Sequence, residues 1–413
     1  MNVGIVGLGK LGLPFALAIE SRGHSVRGWD ASPAVRENID RRHFPHREQD
    51  LPELLARTRI ELADMDSIAE WAEIVFVAVQ TPHAPDLEGS TRLPPYRRDF
   101  DYTFLVDAVG SLARAAAGQE KPLTLAVIST VLPGTLEREV EPLLPSRLAL
   151  AYTPSFTAMG TTIPDFLNPE FVLIGNEHRG GEDSPLRHFY GSLHDRPLFE
   201  TDIKTAELIK VAYNTFIGQK IVFANAMMEI CHKVGGDVDD LAAALGLARE
   251  RIVSPRYLSG GMGDGGPCHP RDNIALSWLS GEAGLSHDIF GDVMQAREDQ
   301  TQWLADLIGE RANGLPIVIL GKAFKPEADL AEGSPAMLLA SILEERSVSF
   351  SHHDGRIDGD RTPIESRPPS LFFVATRRPE YQQAEFPRGS VVLDPWGYIG
   401  DRDGVTVVRI GRR

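Results

Sequence analysis

Cysteine is scarce: the 413 residues hold two, Cys231 and Cys268. Two thiols cannot build a disulfide framework, so a reducing, cytoplasmic setting is expected. Long hydrophobic runs are missing too. None approaches the ~18 apolar residues of a membrane span, and the first residues show no signal-peptide pattern. Positive charge is in deficit. A net charge of −16 argues against a general binder of nucleic acid or anionic membrane, while leaving room for a local basic pocket. There is no internal repeat and no low-complexity tract. What is left is ordinary for a globular chain: 42% hydrophobic, 24% charged, at a length that suits about three domains.

The first third carries the clearest pattern. An apolar strand from Val3 runs into Gly7-x-Gly9-x-x-Gly12, and Leu13 to Glu20 follows as a helix. Ser25 to Trp29 is a second strand, ending at Asp30. Strand, glycine turn, helix and acidic residue in this order form a dinucleotide fingerprint. The glycines permit a tight turn and close approach of a pyrophosphate, which the helix N-terminus attracts. Asp30 is placed to accept from ribose hydroxyls, favouring NAD over NADP. Further strands read at 74–79, 123–128 and 148–152. The first two end at Thr81 and Thr130, which serve either as strand-end caps or as ligand contacts. Between them, Thr81 to Tyr102 reads as a long loop.

The middle reads as one long helix, Thr201 to Val234, capped by Thr201 or Asp202 and closed at Gly235, with a short helix over 238–247. Glu207, Lys210 and Asn214 share a face at spacings of three and four. They form either a solvated polar stripe with a Glu207–Lys210 pair or a functional face. Next comes Gly260-Gly-Met-Gly-Asp-Gly-Gly-Pro-Cys-His-Pro-Arg-Asp272. Glycines this dense let the backbone approach a ligand closely. Cys268 with Arg271 and Asp272 behind it reads as an activated nucleophile on a loop, or as an inert small residue. The last third alternates strand and helix again, with strands at 316–320, 348–351, 371–375 and 390–393, and so implies a second parallel sheet without a GxGxxG. Lys325 stands at a strand end, where it can face a phosphate. His352 and His353 lack a third ligand at a recognised spacing, so no metal site is expected.

Taken together, Gly7–Gly12, Thr81-Pro82, Ser129–Thr135, Ala206–Asn214 with Lys220 and Asn225, the cysteine stretch and Gly321–Pro326 resemble the UDP-glucose/GDP-mannose dehydrogenase family over nearly the whole chain. The resemblance implies an α/β fold with two Rossmann-like doubly wound parallel-sheet domains joined by a central helical domain. The expected boundaries are 1–198, 199–300 and 301–413, with a homodimer built on the central helix. It implies NAD as cofactor and a nucleotide sugar as substrate, oxidised twice at C6 through a thiohemiacetal and a thioester on Cys268. UDP-glucose or a related UDP-hexose is the first choice. A GDP-mannose or UDP-N-acetylhexosamine 6-dehydrogenase, or a catalytically weak nucleotide-sugar binder, is the alternative. By resemblance, Lys210 and Asn214 stabilise charge on the C6 oxygen, Asp272 positions or activates water, and Thr130 belongs to the same network. Gly7, Gly9, Leu11, Gly12, Asp30, Thr81, Thr130 and Arg271 are expected to contact the cofactor. Ser155, Lys210, Asn214, Tyr257, Gly263 and Lys325 are expected to contact the substrate.

The chain departs from the family where hydrolysis of the thioester is concerned. Ser155 stands where the family has a glutamate, Met159 where it has a second, and His269 where a phenylalanine follows the cysteine. Glu332-Gly333 replaces an arginine-containing stretch. A serine hydroxyl is too weak a base to activate water unaided. Hydrolysis then falls to Asp272 with Lys210, or becomes the slow step; the sequence favours the slow step.

Overall fold

The computed structural model describes residues 1–176, 184–249, 259–282, 284 and 288–412. They form two compact units, one of Met1–Pro82 with Phe100–Ala212, the other of His83–Asp99 with Tyr213–Arg413.

In the first unit the strands are β1 (Asn2–Val6), β2 (Ser25–Trp29), β3 (Glu61–Leu62), β4 (Ile74–Val77), β5 (Leu123–Val127), β6 (Leu148–Tyr152), β7 (Val172–Asn176) and β8 (Leu198–Thr201). They form one sheet in the order β3-β2-β1-β4-β5-β6-β7-β8. All neighbours are parallel except β6 and β7, which run antiparallel. Strand order reverses at β1, which pairs with β2 on one side and β4 on the other. A doubly wound sheet opens its crevice beyond the carboxyl ends at such a reversal. β1 and β4 are apolar on both faces because helices cover both. Ile5, Phe15, Phe76 and Phe189 are all fully buried in this core, each contributing ~1.5–3 kcal/mol.

The helix Ile203–Val234 carries the chain from the first unit into the second. Asp202 caps it, accepting from the Thr205 N–H at 2.9 Å. Gly235 ends it at φ +79°, with its N–H on the Cys231 carbonyl.

The second unit holds β9 (Ile317–Leu320), β10 (Phe350–His353), β11 (Leu371–Val374), β12 (Val391–Asp394) and β13 (Thr406–Arg409). They form a fully parallel sheet in the order β10-β9-β11-β12-β13. Alternate residues feed two cores: Ile319, Phe373 and Leu393 on one face, Leu320, Phe372 and Val392 on the other. The helices Ile289–Ala312 and Pro335–Glu345 pack into the core beside the sheet, and Cys268–Glu282 is a further helix of the unit.

Two findings depart from the sequence reading. Cys268 is the first residue of a helix and not part of a loop. Pro270 does not prevent this, since a first helical turn tolerates proline. The expected loop after Thr81 leaves the first unit at His83 and packs on the second. Its anchors explain why. Arg297 donates to the Gly89 carbonyl at 2.8 Å, Glu298 accepts from the Leu93 N–H, and Arg97 reaches Ser277 Oγ at 3.1 Å. Among the described residues no helix is long and apolar enough to cross a membrane.

Candidate active site

At the carboxyl end of β1, Gly7 adopts φ +92°. A Cβ on Gly12 would lie 1.8 Å from the Gly7 carbonyl oxygen, so only glycine closes this turn. A Cβ on Gly9 would meet nothing within 4 Å, so the outer side of the turn is open. Leu11 immediately precedes the helix Gly12–Ser21. Asp30 accepts from the Leu8 and Ser32 N–H groups, each at 2.8 Å. One lone pair on each carboxylate oxygen remains for ribose. Arg36 binds the carbonyl of Asp30 at 2.8 Å. This cradle fits a dinucleotide.

The ends of β4 and β5 are stapled together. Thr81 donates to the Thr130 carbonyl at 2.7 Å, and Ser129 to the Val79 carbonyl at 2.6 Å. Thr81 and Thr130 are thereby fixed side by side. Glu207 does not pair with Lys210. It is fully buried and accepts from the Gly134 N–H at 2.5 Å and the Leu136 N–H at 2.9 Å. It therefore holds the loop that follows Thr130. Burial pushes its carboxyl up to about 7, against the pull of those two N–H groups. Lys210, itself buried, places its ammonium 5.3 Å from the ring of Phe156, the neighbour of half-buried Ser155. The solvated stripe is thus excluded: Glu207, Lys210 and Asn214 are all buried.

In the second unit, buried Asp272 accepts from Asn214 Nδ2 at 2.6 Å and from Arg271 Nε at 2.9 Å. Cys268, half-buried, stands one turn earlier on the same helix. Residues four apart share a helix face, so the thiol and this carboxylate lie on one side. Orphan N–H groups at the helix start favour negative charge developing nearby.

The glycine run gains its shape from close contacts. Gly263 adopts φ +67°, and a Cβ there would come within 2.1 Å of Pro335; on Gly261 it would come within 2.1 Å of Trp396. The Gly263 carbonyl accepts from Asn225. Asp264 is fully buried and paired with equally buried Arg297 at 2.7 Å. Lys325 lies in the loop beyond β9, 5.7 Å from the ring of Phe324. Tyr257 lies outside the described residues.

The structure thus gathers Gly7, Gly9, Gly12, Asp30, Thr81 and Thr130 at one sheet's carboxyl end, and Cys268, Asn214, Arg271 and Asp272 around one helix start. Sequence reasoning missed Glu207 as a loop anchor, and it missed Arg297 and His83 altogether. A lone arginine in an amphipathic stretch and a lone histidine after Thr-Pro carry no spacing signal.

Residues 1–194 match the NAD binding domain of the UDP-glucose/GDP-mannose dehydrogenase family, and residues 204–298 match its central domain. A UDP-glucose 6-dehydrogenase of Rickettsia conorii is 28% identical over 366 residues, 86% of this chain and 81% of the relative. One of Bacillus subtilis is 27% identical over 86% of this chain and 79% of the relative. A solved UDP-glucose dehydrogenase from Pyrobaculum islandicum superposes with a TM-score of 0.86 at 27% identity, covering 100% of this chain and 98% of that one. With its open glycine cradle, its stapled strand ends and its thiol beside a buried carboxylate, the chain belongs to the UDP-glucose/GDP-mannose dehydrogenase family of NAD-dependent oxidoreductases.

Proposed function

We propose that this enzyme oxidises the C6 alcohol of a nucleotide sugar to the carboxylate, with a UDP-hexose such as UDP-glucose as the first choice of substrate. The observation that carries the reading is Cys268 at a helix start, on the same side as an Asp272 held by Asn214 and Arg271. Alcohol oxidation to an aldehyde makes no use of a thiol, whereas a thiol that captures the aldehyde gives a covalent hydride donor for the second oxidation.

NAD, when bound, accepts a hydride at each of the two oxidations. Lys210 and Asn214, one turn apart on a single helix, supply positive charge and an N–H to the C6 oxygen. Cys268 adds to the aldehyde to give a thiohemiacetal, and loss of the second hydride leaves a thioester on its sulfur. Water then cleaves the C–S bond, releasing the acid and the thiol. Lys325 is assigned to the diphosphate, Gly263 and Ser155 to the sugar.

The enzyme is further inferred to be a homodimer. Leu208, Phe216 and Phe223 are 44%, 53% and 47% exposed on the long helix, at spacings of eight and seven that put them on one stripe. An apolar stripe of this kind supports a helix-to-helix interface.

NADH formation across UDP-, GDP- and dTDP-sugars tests the reading. One of them should yield about two NADH per sugar consumed. Cys268→Ser should abolish acid formation while an aldehyde-level activity survives. Cys231→Ala, which alters a buried thiol, should keep acid formation intact. Normal acid production by Cys268→Ser removes the covalent route.

A further inference from the structure

Thioester hydrolysis needs a group to take a proton from water, and Ser155 cannot do so unaided. Both oxygens of Asp272 already accept, one from Asn214 and one from Arg271. Those two donors fix it as an orienting acceptor, with one lone pair on each oxygen still open to the attacking water.

The segment His83–Asp99 lies along the cysteine helix within the second unit. Ala84 and Leu87 pack with Ile274 and Met294. Gly89 is so close to Pro270 that an added Cβ would stand 2.6 Å from its Cβ. This packing brings His83, at the head of the segment, into the field of Arg271 and Asp272. Its Nδ1 is buried and has no hydrogen-bond partner. Burial, then the Arg271 guanidinium, hold the imidazole below its ordinary value, against the opposing pull of its own carbonyl and of Asp272. It is therefore neutral, and able to accept a proton, at pH 7. The segment's other charged contacts lie further along it: Arg297 on the Gly89 carbonyl, Glu298 on the Leu93 N–H, Arg92 with Glu345, and Arg97 with Ser277.

We infer that His83 is the general base of thioester hydrolysis, taking the proton of the attacking water where Ser155 cannot. The inference rests on the proposed function. In the step, the water O–H bond breaks as its oxygen bonds to the acyl carbon. The C–S bond then breaks, Cys268 sulfur departs with the electron pair, and the proton held by His83 passes to that sulfur or to solvent. Hydrolysis is then not the slow step that Ser155 alone suggests.

Rapid mixing of the full-length enzyme with NAD and the active sugar nucleotide tests this. His83→Gln should release about two NADH per site at the wild-type rate and then slow on the order of 100-fold, a typical loss for a general base. The Cys268 acyl adduct should accumulate in its intact mass. In the wild type, hydrolysis should fall off on the acid side below the usual histidine range; in His83→Gln that limb should vanish. Added imidazole should partly restore His83→Ala. Because burst amplitude counts active sites, a partly misfolded variant still reports its rate per site. Unchanged turnover and pH profile in His83→Gln overturn the inference while leaving the proposed function standing. Loss of the burst itself also overturns it. If no sugar nucleotide yields NADH, the proposed function fails and takes this inference with it.

Discussion

The two sheets begin with the same turn and end with different sites. After β1, Gly7 at φ +92° donates to the Trp29 carbonyl, and the next N–H, of Leu8, goes to Asp30 Oδ2 at 2.8 Å. After β9, Gly321 at φ +94° donates to the His353 carbonyl, and the next N–H, of Lys322, goes to Asp354 Oδ2 at 2.8 Å. Each aspartate also takes an N–H two residues ahead, from Ser32 or Arg356. The difference lies in what covers the carboxylate. Asp30 keeps solvent access, whereas Asp354 is fully buried under Arg378, 3.0 Å away. One backbone device thus serves as an open ribose acceptor in the first sheet and as a sealed structural joint in the second.

Breaking the joint should have the largest effect. Arg378 also donates to the Pro326 and Ala328 carbonyls, so it holds the loop that follows Lys325. Arg378→Met strands a buried carboxylate, and unpairing of that kind costs about 3–5 kcal/mol. Denaturant unfolding should show that loss, and the KM for sugar nucleotide should rise as Lys325 loses its support. A variant as stable as the wild type would show that Asp354 needs no cation, making the two turns alike in energetics as well as in geometry.

Opening the first turn further should have a smaller and more specific effect. Asp30 repels a 2′-phosphate, and Arg36 stands beside it. Asp30→Ala should lower kcat/KM for NAD and raise it for NADP, changing the preference on the order of tenfold to a hundredfold. An unchanged preference would mean that the carboxylate serves only the turn, as Asp354 does.

This likeness was half legible in the sequence. GxGxxG and Asp30 announced the first site because strand, glycine spacing and acid stand close together in the chain. Asp354 follows two histidines with no glycine pattern before it, and its partner Arg378 comes 24 residues later with no spacing rule to connect them. Strands β1, β4, β9 and β11 were readable because burial on both faces makes them continuous apolar runs. β13, half-exposed beside β12, gave no such run. The passage of residues 83–99 into the second unit was hidden for another reason. Two of its anchors, the Gly89 carbonyl and the Leu93 N–H, are backbone groups that every sequence has, and the side-chain anchors Arg92 and Arg97 meet partners about 180 residues or more away.

The smallest effect should come from a third buried carboxylate, which sharpens the contrast between a cation in direct contact and two backbone donors with Lys204 and Arg138 acting from further off. Glu207 has two N–H donors and no ion pair as close as Arg378 is to Asp354. Its carboxyl is pushed up to about 7 by burial, whereas Asp354, also pushed up by burial, ends below its ordinary value through the Lys322 N–H and Arg378. The two signs follow from linkage. A carboxyl with a raised value stabilises fully below its unfolded value, and that contribution fades as pH rises to about 7. A carboxyl with a lowered value stabilises above its unfolded value and loses that contribution on acidification. Glu207→Gln keeps one acceptor, loses the other and cannot ionise. It should therefore flatten the fall in stability between about pH 5 and 7, while the lost N–H contact lowers stability by about 1 kcal/mol at every pH. Melting temperatures of the two proteins across that range decide the matter. Parallel curves would mean that the two N–H groups neutralise Glu207 as completely as Arg378 neutralises Asp354.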